Sequence, residues 1–200
     1  MLRARLCPRG HDVEGHPAAR RPWSRLLGAT LALAAALASA CAPPAPGPSK
    51  AEEAFRKEVM AAREALSASL ADAAADREPR AAGRILEQTC SLARESGRPF
   101  ACGITVLDRR GITLASATPG ASFRRLDYSR YDAVSTALKE RRIVKTKLYL
   151  QDRSALFVVA LPLERRGEAV GLLVLAFDQA DLLNRHGLTE EEFRRVDLGR

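Results

Sequence analysis

The chain has 200 residues, a formal net charge of +8 and four cysteines. Residues 1–40 carry six arginines and two acidic residues, so the remaining 160 residues hold a formal charge of only +4. That length suits one domain, and with half of the excess charge confined to the first forty residues a nucleic-acid partner loses its main support.

Arg3, Arg5, Arg9, Arg20, Arg21 and Arg25 form a basic opening, and an uninterrupted run of small apolar residues follows from Leu26 to Leu37. The run ends in Ala38-Ser39-Ala40-Cys41. Basic, then apolar, then small is the order of a cleavable secretory signal. The run is shorter than the roughly 20 apolar residues that a membrane-spanning helix needs. The stretch Leu37-Ala38-Ser39-Ala40-Cys41 resembles the lipobox of bacterial lipoproteins, with Ala38 where a leucine is usual. The resemblance implies cleavage before Cys41 and a lipid anchor on its sulfur; the other reading is an ordinary Ala-x-Ala cleavage site. Ala42 is not the aspartate of inner-membrane retention, so the expected location is the periplasmic side of the outer membrane. Export also argues against nucleic acid. Residues 41–50 are then the lipidated cysteine and a tether, whose prolines favour extended polyproline II.

Residues 51–98 are expected to be helical. Phe55, Val59, Ala62, Leu66, Leu70 and Ala73 recur at steps of three and four along a first helix over 50–76. Pro79 breaks it, and a second helix over 82–96 turns Ile85, Leu86, Thr89, Leu92 and Ala93 inward before Gly97 and Pro99. Residues 99–178 change to strand patterning. A strand over 100–107, the turn Asp108-Arg109-Arg110-Gly111 and a return strand over 112–116 read as a hairpin. A helix over 129–141 follows. In 144–150 Val144, Thr146, Leu148 and Leu150 share one face, and Lys145, Lys147 and Tyr149 the other. Strands over 155–163 and 168–177 are apolar on both faces and belong at a sheet centre. Residues 179–200 are expected to be two short helices, the second opened by a capping box at Thr189. The order α–α–β–β–α–β–β–β–α is an α+β architecture with a five-stranded antiparallel sheet.

Cys90 and Cys102 lie twelve residues apart. In an oxidising compartment a disulfide between them is expected, worth about 3 kcal/mol in the loop-entropy account; two free buried thiols are the alternative. Catalytic chemistry finds little support. After residue 40 there is one histidine, His186. No second histidine or paired cysteine joins it to make a zinc site, and no haem, phosphate-loop or nucleophile-elbow motif occurs. No catalytic residue, metal or cofactor is assigned.

Val106-Leu107-Asp108-Arg109-Arg110-Gly111-Ile112, Asp127-Tyr128-Ser129-Arg130-Tyr131, Phe157-Val158-Val159-Ala160-Leu161-Pro162-Leu163 and Gly171-Leu172-Leu173-Val174-Leu175, in that order and spacing, resemble the Cache family of extracytoplasmic, PAS-like sensor domains. The resemblance implies a small-molecule pocket between the sheet and the overlying loop and helix. It implies a carboxylate or amino acid as ligand, with Tyr128, Arg130, Tyr131, Lys145, Lys147 and Tyr149 lining the pocket. Arg130 and Lys147 would meet the anion. The competing view makes the lysines the wet face of an edge strand. No output module follows, so signalling is expected to need a separate envelope partner. The alternative function is a structural or assembly lipoprotein, of roadblock or longin type, that dimerises or docks through the apolar seam of the first helix.

Overall fold

A computed structural model describes residues 47–95, 101, 103–118, 124–150 and 154–199. All of these lie within one compact unit, Gly47–Arg200. The leader, Cys41, the tether up to Pro46 and Cys102 fall outside the described residues.

Helix α1 spans Lys50–Ala75. Ser49 starts it with a capping box: its hydroxyl accepts the Glu52 N–H, and its own N–H donates to the Glu52 carboxylate at 2.8 Å. Two of the otherwise unpaired donors of the first turn are satisfied in this way. Ser49→Ala is expected to cost about 1 kcal/mol and to lower Tm by about 3 °C, as calorimetry would read it. Phe55, Val59, Leu66, Leu70 and Ala73 of the expected seam are buried, and Ala62 is half-buried. They pack in the chain's own core against the sheet. The seam is therefore not a surface on which a second copy or a partner could pair.

The first helix ends one residue earlier than expected, and the second begins three residues earlier. Arg77 takes a left-handed φ of +54°, and α2 begins at Pro79 and runs to Glu95. Proline fits at a first helical position, where its missing N–H would have had no partner in any case. Ala82 and Leu86 are buried, whereas Leu92, expected inward, is 59% exposed. The second helix lies chiefly over an edge strand and against α1, so only a narrow stripe of it is covered.

Strands β1 (Gly103–Asp108), β2 (Thr113–Ala117), β3 (Val144–Tyr149), β4 (Ala155–Arg165) and β5 (Glu168–Asp178) form one antiparallel sheet in the order β2-β1-β5-β4-β3. This is the expected α+β class with a five-stranded antiparallel sheet. The two strands that read as apolar on both faces, β4 and β5, sit at its centre with β1. Arg166 and Gly167 join them with φ of +54° and +79°, the handedness that a two-residue hairpin requires.

The two faces of the sheet are covered differently. Helices α1 and α2, with α4 (Gln179–His186) and α5 (Glu190–Arg195), cover one face. Phe55, Phe177, Phe157 and Phe193 interlock there edge to face, with ring centroids 5.2–5.9 Å apart. Over the other face the one helix among the described residues is α3 (Asp132–Glu140), which sets Val134 and Ala137 on Leu107, Ala160 and Leu172. The short cover leaves part of that second face hollow.

Candidate functional site

The hollow is a cavity of about 550 Å3 between the sheet and a roof made by residues 124–131 and the start of α3. Strand alternation decides its floor. Register pairs Thr105 with Val174, Thr146 with Val158, and Ala160 with Val174. The side chains of these residues point to the face that the larger helical layer does not cover, and they line the cavity together with Leu107, Leu148 and Leu156. Next to β2 the floor is polar: the hydroxyls of Thr105 and Ser116 pair at 3.0 Å, and those of Ser116 and Thr118 at 3.3 Å.

The roof is held by the β1–β2 turn. Asp108 is 4% exposed, and its carboxylate accepts the N–H groups of Arg110 and Ile112 at 2.8 and 3.0 Å. This fixes Gly111 at φ +78°, and a Cβ there would stand 3.0 Å from the Ser129 backbone. Only glycine combines that φ with so close an approach. The returning segment then pairs with the turn: Thr113 N–H donates to Leu126 O, and Tyr128 N–H to Gly111 O, both at 2.9 Å. Tyr128 and Tyr131 are thereby brought side by side in the wall, ring centroids 5.7 Å apart. Burial pushes the Tyr128 phenol up from its ordinary value. Asp127 beside them accepts the Ser129 N–H at 2.9 Å, and its hydrogen bonding with Ser129 holds its carboxyl below the ordinary range.

The expected site residues divide between two faces. Tyr128 and Tyr131 line the cavity, while Arg130 is exposed in the turn before α3 and does not. Lys145, Lys147 and Tyr149 stand on the opposite face, because Lys145 is paired with Val159, Lys147 with Phe157 and Tyr149 with Ala155. There Lys145 donates to the carbonyls of Phe193 at 2.8 Å, Arg194 at 2.7 Å and Val196. A cation on the last carbonyls of a helix opposes its dipole favourably; burial still pushes the Lys145 ammonium below its ordinary value. Lys147 pairs with Glu190 at 2.5 Å. These lysines fasten α5 to the sheet rather than serve the cavity. The charged residue that does line it is Arg124, which the sequence reading passed over. Cys90 is a half-buried free thiol in α2, and Cys102, its expected partner, lies outside the described residues. Among the described residues no cluster of three His, Cys, Asp or Glu could hold a metal ion, and no helix is long and apolar enough to cross a membrane.

The α5 attachment depends on pH. The hydrogen bond from Lys147 holds the Glu190 carboxyl below its ordinary value, and those from Thr189 do the same for Glu192. A carboxyl whose folded-state pKa is depressed contributes stability above its unfolded value and loses it as pH falls through the folded one. The Glu190 bond raises Lys147, so that contribution is lost only at strongly alkaline pH, above the ordinary lysine value. Amide-exchange protection factors of residues 190–198, which allow for the pH dependence of intrinsic exchange, are therefore expected to be level near neutrality and to fall below about pH 4.

No protein-family model matches the sequence, and no curated protein sequence matches it. Solved structures do. The extracellular domain described as that of the histidine kinase vpHK1S-Z8 superposes with a TM-score of 0.50 at 19% identity, over 70% of this chain and 57% of that one. A domain of a sensory box/GGDEF family protein from Vibrio parahaemolyticus gives 0.49 at 20% identity, over 71% and 61%. The ligand-binding domain of the Pseudomonas aeruginosa amino acid chemoreceptor PctC, in complex with GABA, gives 0.46 at 17% identity, over 66% and 62%. This chain spans about six tenths of the length of these sensor-domain chains. At such identity the likeness is one of fold: a five-stranded antiparallel α+β domain of the Cache and PAS-like kind.

Proposed function

We propose that this protein is an extracytoplasmic sensor-type domain that binds a small organic molecule, of the carboxylate or amino-acid kind, in the cavity above its sheet. One observation carries the reading. The second face of the sheet is left hollow under a roof that the buried Asp108 and the β1–β2 turn hold in place. A cavity that is largely apolar, with a few polar groups converging on it, is what a small-ligand site requires. The fold shared with sensor domains supports the same reading.

In this proposal the leader exports the chain, Cys41 carries the lipid, and residues 42–49 hold the domain off the periplasmic side of the outer membrane. The domain binds rather than catalyses, and it presents its ligand-bound state to a separate envelope partner. The assembly alternative has no such support, since the seam it required is buried in the chain's own core.

A thermal-shift panel of carboxylates and amino acids tests the binding reading. A ligand that binds only the folded state raises Tm, by about 2.7 kcal/mol of added stability at a hundredfold excess over Kd. A panel with no shift in Tm overturns it. Metabolic labelling with a fatty acid tests the anchor separately: label is expected on the wild-type chain and absent from Cys41→Ser.

A further inference from the structure

We propose that the cavity takes a medium-chain organic acid: a carboxylate with a large apolar body and no cationic group. The proposal rests on the binding role argued above and specifies the chemistry of the ligand.

Much of the floor is hydrocarbon, with Leu107, Leu148, Leu156, Val158 and Val174 facing the space. Its polar groups are neutral, and several are already engaged. The hydroxyls of Thr105, Ser116 and Thr118 form a row with one another, and that of Thr113 donates to Leu126 O at 3.1 Å. Among the described lining residues none is an aspartate or a glutamate. In an α-amino acid the ammonium is one carbon from the carboxylate, so pairing that carboxylate with Arg124 sets two cations side by side, with no acid among the described lining residues to offset them. An α-amino acid is therefore a poor occupant.

The single charge among the described lining residues points the same way. Arg124 stands exposed at the start of the roof segment, so a carboxylate could pair with it in the planar two-point manner of guanidinium while staying partly hydrated. The rings of Tyr128 and Tyr131 line the same cavity. A space of about 550 Å3 is also far more than a two-carbon acid fills. Anion at the mouth and alkyl chain across the floor together describe an amphiphilic acid.

Isothermal titration of the intact chain with sodium octanoate, octan-1-ol, 2-aminooctanoate and sodium acetate decides it. Octanoate is expected to bind at least tenfold more tightly than each of the other three. Arg124→Gln, a change at an exposed position, is expected to weaken octanoate about tenfold and to leave octanol unchanged. Equal binding of 2-aminooctanoate overturns the exclusion of a cation, equal binding of acetate overturns the apolar body, and equal binding of octanol overturns the acid. Unchanged octanoate affinity in Arg124→Gln overturns the role of that arginine. If valine or GABA binds and octanoate does not, this proposal falls while the binding role stands. If nothing in either panel binds, both fall.

Discussion

Phe55→Ala is expected to remove about 4 kcal/mol of stability and to lower Tm by about 12 °C. Phe55 is 1% exposed and is the ring on which the helical layer converges. It meets Phe177 of β5 at 5.2 Å, Phe193 of α5 at 5.9 Å and His186 at the end of α4 at 5.2 Å, all edge to face. Truncation removes contacts to three elements at once, and they cannot all close on the space. The void would also border His186, whose Nδ1 lies 3.3 Å from the Glu58 carboxylate and whose buried Nε2 has no hydrogen-bond partner among the described residues. Since whole domains are stable by only about 5–15 kcal/mol, the variant should sit close to its limit. Denaturant titration should show a lower midpoint with an unchanged slope; a loss below 2 kcal/mol would mean that this cluster is not the centre of the core.

Gly171→Ala comes next, at about 3 kcal/mol and roughly 9 °C in Tm. Gly171 lies in β5 between Asp108 of β1 and Leu163 of β4. A Cβ there would stand 2.3 Å from the Leu107 carbonyl oxygen and 3.0 Å from the Ala74 Cβ of α1. The nearer obstacle is backbone, so relief requires either β1 to leave β5 or the end of α1 to lift. Both also disturb Leu107, which floors the cavity. The stability loss should therefore come with weakened ligand binding, whereas Phe55→Ala acts on the face away from the cavity and should spare the affinity of whatever fraction stays folded.

Much of the architecture can be read from the order of residues, because it rests on local rules. Glycine at 111 and 167, the two-sided apolar runs of β4 and β5, and the Thr189 capping box each mark their own neighbourhood. Faces are another matter. The alternation of Lys145, Thr146, Lys147, Leu148 and Tyr149 separates two sides of β3 but does not say which side the helices will cover. That follows from pairing Lys147 with Phe157, a relation between distant segments. The lysines resembled anion ligands because lysine on a strand usually faces water; here α5, formed some forty residues later, comes back to use them. Arg124 was missed for a related reason. It lies in an irregular stretch with no period to place it, and only the pairing of Thr113 with Leu126 brings it over the sheet. Thr105 and Thr146 looked like ordinary strand residues, and nothing local marks them as the floor of a hollow.

Ser49 donates its hydroxyl to Glu192 at 3.3 Å, and Arg195 grips the buried Glu52 at 2.8 Å. The first turn of the first helix and the last helix are thus stapled at one corner. Mechanical load applied between residues 47 and 199 would fall first on that small joint and on the lysines that tie α5 to β3. The joint would shear while the sheet and its hollow stayed whole, like a clasp that opens without tearing the purse.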